Sequence, residues 1–290
     1  MKPFKIIGLG EIIWDMLPSG KQLGGAPANF AYHAMQLGAE AYVISAVGKD
    51  NLGKEILHQI HERGLNSLIS ITDYPTGTVD VEVTPKGIPT YTIHENVAWD
   101  HIPATEKVME VAKEADAICF GSLAQRFADS RKTIISILEA SKENCIKVFD
   151  INLRLDFYTK EVLKNALRHA DILKINEEEL PILAYEMGWE VSDEFVLPKL
   201  IRHFDLELVA FTKGENGSIL INDSDVSELP TPKVEVADTI GAGDSFTAAL
   251  IIGLLMNKPL QEIHQKAVDV SAFVCTQHGA MPKLPEHLKY

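Results

Sequence analysis

The chain has 290 residues, with Lys plus Arg at 27 and Asp plus Glu at 41, a formal net charge of −14. That acidity excludes nucleic acid and anionic membrane surfaces as natural partners, so an anionic substrate must be held by local donors. The length and the 46% hydrophobic content suffice for a large core, as one domain or one and a part.

Cys119, Cys145 and Cys275 stand in apolar stretches without metal-ligand spacing and read as buried thiols of a reducing compartment. Charge at Lys2, Lys5 and Glu11 leaves no signal-peptide core, and no apolar run approaches the ~18 residues that span a bilayer. A cytoplasmic location is expected.

Residues 6–13 read as a short buried strand. Gly8-Leu9-Gly10 within it is not a dinucleotide fingerprint, because the third glycine would fall at Ile13. Asp15 follows, before Pro18-Ser19-Gly20, where it reads as a turn residue. Gly24 and Gly25 precede Pro27 and a helix over 28–37, closed by Gly38, and Asn29 faces the same opening as the glycines. A strand over 43–47 and a helix over 52–63 continue a βα rhythm, the pattern of a parallel sheet. Alternation over 78–84 and 90–94, with Pro85-Lys86-Gly87 between, predicts an antiparallel hairpin that interrupts it.

The rhythm resumes with a strand over 117–121, whose carboxyl end carries Gly121 to Arg126. A helix over 130–142 and a strand over 148–154 follow. Asp150, Asn152 and Arg154 alternate and share a face if that strand runs its full length. Arg154 could instead pair with Asp156 or Glu161 at the surface. A strand over 171–175 leads through Asn176 into a helix with Glu177, Glu178 and Glu179 in its first turn, which suits the helix dipole. A strand over 208–212 ends at Thr212, and Lys213-Gly214-Glu215-Asn216-Gly217 turns after it. No Gly-Lys-Ser/Thr is present, which excludes a Walker-type loop.

Asp238-Thr239-Ile240-Gly241-Ala242-Gly243-Asp244-Ser245-Phe246 is a Gly-rich turn feeding an apolar helix over 246–256. A helix N-terminus offers unpaired N–H groups and a positive dipole end to an anion, and glycines allow close approach. Asp244 has two readings. It is a helix cap, or it takes a proton from a hydroxyl while the turn stabilises a transferring phosphoryl group. A last helix over 260–277 is stopped by Gly279.

The 238–246 run, with Ala248-Ala249-Leu250 behind it, resembles the C-terminal signature of the ribokinase-like (PfkB) family of sugar and nucleoside kinases. Gly24-Gly25-Ala26-Pro27-Ala28-Asn29-Phe30-Ala31, with Gly38 and Gly48, resembles its N-terminal signature. The resemblance covers residues 6–285. It implies one ribokinase-like α/β domain over 1–290, a central mostly parallel sheet flanked by helices, with a small β lid from approximately 11–25 and 76–100. An exposed lid edge is a candidate for pairing with a second copy.

It also implies roles. Asp244 is the catalytic base, and Gly241, Ala242 and Gly243 complete the anion hole. Asp15, Gly24, Gly25, Asn29 and Arg154 hold the sugar. Asn176 and Glu179 place phosphate and hydrated Mg²⁺, Glu179 through water. Thr212, Gly214 and Gly217 serve the nucleotide, and the loop at Gly279 walls the adenine. ATP, Mg²⁺ and a small sugar are the expected ligands. Lys283 stands where ribokinase has a small hydroxyl residue near a potassium site, so monovalent-cation activation is not expected to carry over. Asp-x-Asn-x-Arg at 150–154 and Gly10-Glu11 leading to Asp15 favour fructokinase. Kinases of 2-keto-3-deoxygluconate, ribose or nucleosides are the alternatives, and a non-catalytic sugar sensor is the rival from another class.

Overall fold

The computed structural model describes residues 2–18, 20–83 and 89–290. The first half of the chain forms β1 (Lys5–Leu9), β2 (Ile13–Leu17), β3 (Gly20–Gly24), α1 (Ala26–Gln36), β4 (Glu40–Gly48), α2 (Asn51–Glu62), β5 (Asn66–Thr72), β6 (Thr78–Val83), β7 (Pro89–Ile93), α3 (Glu106–Lys113) and β8 (Ala117–Phe120). The second half forms α4 (Ala128–Ala140), β9 (Ile146–Asp150), α5 (Lys160–His169), β10 (Ile172–Asn176), α6 (Glu179–Met187), α7 (Asp193–Phe204), β11 (Leu208–Thr212), β12 (Ser218–Ile221), β13 (Val226–Leu229), α8 (Ala242–Leu255) and α9 (Leu260–Cys275).

The main sheet runs β13-β12-β11-β10-β9-β8-β1-β4-β5. From β11 to β5 all neighbours are parallel, and β12 and β13 add an antiparallel edge. The parallel strands are continuously apolar because both faces are covered. Successive residues alternate between two cores. Ile7, Ile44, Ile118, Phe149, Leu173 and Val209 pack with α3 to α7. Ile6, Val43, Cys119, Val148, Ile172 and Leu208 pack with α1, α2, α8 and α9. The result is a three-layer sandwich, as the βα rhythm predicts.

A second sheet, β3-β2-β6-β7, stands off the first. Asp15 pairs with Gln22 in antiparallel β3 and with Val79 in parallel β6. Trp14 anchors this sheet by donating from Nε1 to the Leu52 carbonyl at 3.0 Å. Arg126 anchors its other end. Its Nε and Nη2 meet the two Asp100 oxygens at 2.8 Å each, and Nη2 also donates to the His94 carbonyl at 2.6 Å. The guanidinium lies 4.1 Å from the Trp99 ring centre. Breaking such a buried bidentate pair by removing one partner typically costs about 3–5 kcal/mol.

Several expectations need correction. The strand expected over 6–13 stops at Leu9, and Ile13 already belongs to the second sheet, so Asp15 is a strand residue rather than a turn residue. The strand expected over 148–154 stops at Asp150. Asn152 takes φ 41°, and the Leu153 N–H is drawn to Glu179 Oε1 at 2.9 Å, so Asp150, Asn152 and Arg154 share no strand face. Asn176 ends β10 instead of opening a helix. Of the three glutamates only Glu179 is helical, and it is buried. The hairpin strands pair as expected, while Pro85-Lys86-Gly87 and Ser19 lie outside the described residues. Among the described residues no helix is long and apolar enough to cross a membrane.

Candidate active site

Parallel strands bring chemistry-bearing residues to one edge of the sheet. Glu11 follows β1, Gly121 follows β8, Asp150 ends β9, Asn176 ends β10 and Thr212 ends β11. From β1 the chain winds one way through β4 and β5, then the other way through β8 to β11. Such a switch point leaves a crevice at the carboxyl ends of the strands.

The Gly-rich turn meets this edge. Gly241 caps α8 at φ 78°, a left-handed conformation that glycine adopts without strain. A Cβ there would lie 2.6 Å from the Ala280 carbonyl oxygen. Ala242 and Gly243 open the helix, and Asp244 is its third residue. The capping reading of Asp244 fails, because the cap of α8 is Gly241 and, among the described residues, no side chain caps the helix. Asp244 Oδ2 instead accepts from Asn29 Nδ2 at 2.8 Å, joining residues 215 apart in sequence.

Two residues below the turn carry opposite charges. Lys174 Nζ donates to Asp150 Oδ1 at 3.0 Å, and both residues are buried. Asp150 Oδ2 accepts from Thr247 Oγ1 on α8, also at 3.0 Å. A Cβ on Gly243 would lie 3.0 Å from Lys174 Nζ, so the ammonium sits directly under the turn. The Asp150 carboxylate and other negative neighbours raise the Lys174 pKa against its burial, which keeps it charged.

Burial raises the Asp244 carboxyl to about 6, and the Asp150 charge adds to the rise. The Asn29 hydrogen bond, Lys174 and Arg154 pull the other way. Burial raises Asp15 to about 6 as well, with Arg154 opposing. Gly24 is packed on Asp15: a Cβ there would lie 2.5 Å from Oδ2. Gly25 caps α1 and lies against the Glu11 backbone. Arg154 is exposed. It donates to the Leu153 carbonyl at 3.0 Å and, among the described residues, forms none of the ion pairs open to it with Asp156 or Glu161.

A second group adjoins this one. Asn176 Oδ1 accepts from the N–H groups of Glu178 and Glu179 at 2.9 and 2.8 Å. Glu179 returns the bond, Oε2 accepting from the Asn176 N–H at 3.0 Å. With Oε1 on Leu153, both Glu179 oxygens already accept backbone N–H groups. Thr212 is paired in register with Asn176, and its carbonyl accepts from the Glu177 N–H. Gly214 follows in a short 3₁₀ turn. Gly217 precedes β12, packs against Leu229 and Pro230, and accepts from the Lys213 N–H at 2.8 Å. The Gly279 N–H donates to Asp238 Oδ2 at 2.9 Å, which ties that loop to the Gly-rich turn.

Three residues here have no site role in the sequence reading, although Glu11 belongs to the Gly10-Glu11 pair named there. Lys174 carries a visible signal, a lone cation inside the apolar run Ile172-Leu173-Lys174-Ile175. Glu11 is only 2% exposed, and its Oε2 has no hydrogen-bond partner among the described residues. His33, fully buried, bonds the Ala280 carbonyl. Among the described residues no three His, Cys, Asp or Glu side chains form a metal cage. An oxygen-rich edge without a cage suits Mg²⁺, which keeps several waters and takes few protein ligands.

The family sequence described as pfkB family carbohydrate kinase matches residues 19–287. A curated sugar kinase of Pyrococcus horikoshii, named there as putative, is 31% identical over 98% of this chain and 95% of its own length. A fructokinase of Klebsiella pneumoniae is 31% identical over 97% of this chain and 96% of its own. An ATP-dependent 6-phosphofructokinase of Thermoanaerobacterium thermosaccharolyticum is 27% identical over 98% and 92%. A crystal structure of an uncharacterized sugar kinase from Pyrococcus horikoshii in complex with ATP gives a TM-score of 0.82 at 28% identity, covering 96% of this chain and 94% of that one.

Proposed function

Because the chain belongs to the pfkB family of carbohydrate kinases, we propose that it transfers the γ-phosphoryl group of ATP to a primary hydroxyl of a neutral sugar, fructose first. One observation carries this reading. Asp244 is half-buried at the first turn of a glycine-capped helix and is oriented by Asn29, so base and anion-binding N–H groups share one turn. With its carboxyl at about 6, Asp244 is ionised near neutral pH and remains basic enough to take the hydroxyl proton.

The acceptor end is rich in carboxylates. Glu11, Asp15 and Asp244 gather there, and Arg154 is the one cation acting on Asp15 among the described residues. Lys21, on the neighbouring strand β3, is paired with Glu55. A neutral polyol suits such a site. A sugar phosphate does not, for want of a basic cluster to hold its second phosphate.

In the proposed mechanism Asp15, Gly24, Gly25 and Asn29 hold the sugar, and Arg154 neutralises charge as the phosphoryl group moves. Asn176, Glu179, Thr212, Gly214 and Gly279 face the nucleotide. Asn176 and Glu179 would hold Mg²⁺ through water, and the ion supplies charge neutralisation on the phosphates when bound. The four-stranded sheet acts as a lid that excludes water, and its β2 carries Asp15. Its β7 edge can pair with a second copy. Scattering with and without sugar, and sedimentation, test closure and pairing.

A second reading has its own support. Arg154 is exposed and, among the described residues, donates only to a backbone carbonyl, which leaves its guanidinium able to grip the carboxylate of a sugar acid. ADP release assayed over fructose, ribose, 2-keto-3-deoxygluconate, adenosine and fructose 6-phosphate separates these readings. Fructose is expected to give the highest kcat/KM. Arg154→Ala should then lower kcat with little change in sugar affinity. A sugar acid as best substrate, with Arg154→Ala mainly raising its KM, would overturn the fructose assignment. Asp244→Asn should lower kcat by roughly 10²–10⁴.

A further inference from the structure

We infer that His33 is a positioning residue that couples the acceptor side of the site to the nucleotide side. It stands in a polar stripe on α1. Asn29, His33 and Gln36 are spaced i, i+4 and i+7, so they share one helix face. Each bonds a different part of the C-terminal segment. Asn29 Nδ2 donates to Asp244 Oδ2 at 2.8 Å, His33 Nε2 meets the Ala280 carbonyl at 2.9 Å, and Gln36 Oε1 accepts from the Leu284 N–H at 3.4 Å.

A buried helix face is ordinarily apolar, and α1 otherwise buries Ala28, Phe30, Ala31 and Ala34. His33 breaks that rule at a cost in stability. It is fully buried, and its Nδ1 finds no partner among the described residues. A carbonyl can only accept, so Nε2 carries the proton and donates. Burial pushes the imidazole down to about 4, so it stays neutral across the working pH range.

The bond lands where it matters to the turn. Ala280 O is the atom that a Cβ on Gly241 would approach to 2.6 Å, and Ala280 Cα would lie at 2.9 Å. The 279–280 backbone is therefore flush against the cap of α8. Asp238 clamps the same loop from the other side. Its Oδ1 accepts from the Ile240 N–H at 2.6 Å and its Oδ2 from the Gly279 N–H at 2.9 Å. The loop is thus held between Asp238, in the turn, and His33, on the helix that begins at Gly25 and Asn29. Ordering α1 around a sugar steadies the Ala280 carbonyl through His33, and with it the turn that receives the phosphoryl group.

This inference rests on the reading that Asp244 and its turn perform transfer. The variants are His33→Leu, which keeps volume and loses the donor; His33→Gln, whose amide reaches a similar position; and His33→Asn, one methylene shorter. Each is assayed for kcat, for the KM of ATP, and for fructose affinity with and without a non-hydrolysable ATP analogue. His33→Leu and His33→Asn should lower kcat roughly 5- to 100-fold. They should raise the KM of ATP, abolish the gain in fructose affinity caused by the analogue, and leave fructose affinity alone within about twofold. His33→Gln should restore both kcat and the gain. Gln36→Ala, on the same stripe beyond the turn, should lower Tm and leave kcat unchanged. Unaltered kcat and coupling in His33→Asn, or a His33→Gln that behaves like His33→Asn, overturns the inference. A fully active Asp244→Asn instead defeats the reading beneath it, whatever the His33 variants do.

Discussion

Replacing Glu11 by Gln should change the pH dependence of stability in one direction. Glu11 is 2% exposed, and its Oε2 is unpartnered among the described residues. Burial raises its carboxyl from 4.5 to about 7, against the pull of its own backbone N–H, the Arg154 charge and the Ala26 N–H, and with a push from Asp244. A carboxyl raised in the folded state binds its proton more tightly there than in the unfolded chain. The stability this contributes is fully present below about 4.5 and is lost as pH rises through about 7. At about 1.4 kcal/mol per pKa unit, the loss between pH 5 and pH 8.5 comes to roughly 2–3 kcal/mol. Gln does not titrate, so whatever its amide costs in packing is the same at both pH values. Urea melts of both proteins at pH 5 and pH 8.5 isolate the titrating part. The difference between variant and parent should move in favour of the variant by about 2–3 kcal/mol as pH rises. If it is equal at the two pH values, Glu11 ionises in the fold as it does in water, and burial does not set its protonation.

The other expectations concern the turn and its support. If Asp244 is the base, kcat/KM should fall below a limb near pH 6, set by its raised carboxyl, and a limb near 4 would contradict burial as the cause. Gly241→Ala places a side chain at φ 78° with its Cβ 2.6 Å from the Ala280 oxygen. It should cost about 1–3 kcal/mol in stability and reduce kcat, as read by melting and steady-state assays. Lys174→Met strips the partner from buried Asp150 and should cost about 3–5 kcal/mol by urea melts, while adding Asp150→Asn should recover part of that loss.

The sandwich was legible because it rests on local periodicity. Continuous apolar runs such as Leu208-Val209-Ala210-Phe211 and the glycine punctuation around α1 and α8 carry their own signal. Strand ends were harder. A strand stops where its ladder partner stops or where another group captures the next N–H, as Glu179 does at Leu153, and neither is local. The β2–β3 pair is implied by the family resemblance, as part of the lid over 11–25, but not by local periodicity, because Trp14-Asp15-Met16 is short and the partners of Asp15 are Gln22 and Val79, the second far along the chain. At the candidate site, the glycines and Asp244 announce themselves by composition. The meeting of Asn29 with Asp244, of Lys174 with Asp150, and of His33 with Ala280 joins residues brought together only by tertiary packing.

The parallel pairing of β2 with β6 has a consequence for the order of folding. Asp15 and Val79 are separated by about sixty residues, and that interval contains β4 and β5, two strands of the main sheet. Closing a loop of this length is entropically unfavourable until the intervening strands have paired and shortened the path. The small sheet should therefore assemble late, after β1, β4 and β5 have docked, and reopen without dismantling them. Amides of β6 and β7 should exchange with solvent through local opening, whereas those of β1 and β8 in the sheet centre should exchange only through global unfolding. The small sheet, which carries Asp15, would then be the least cooperative part of the molecule.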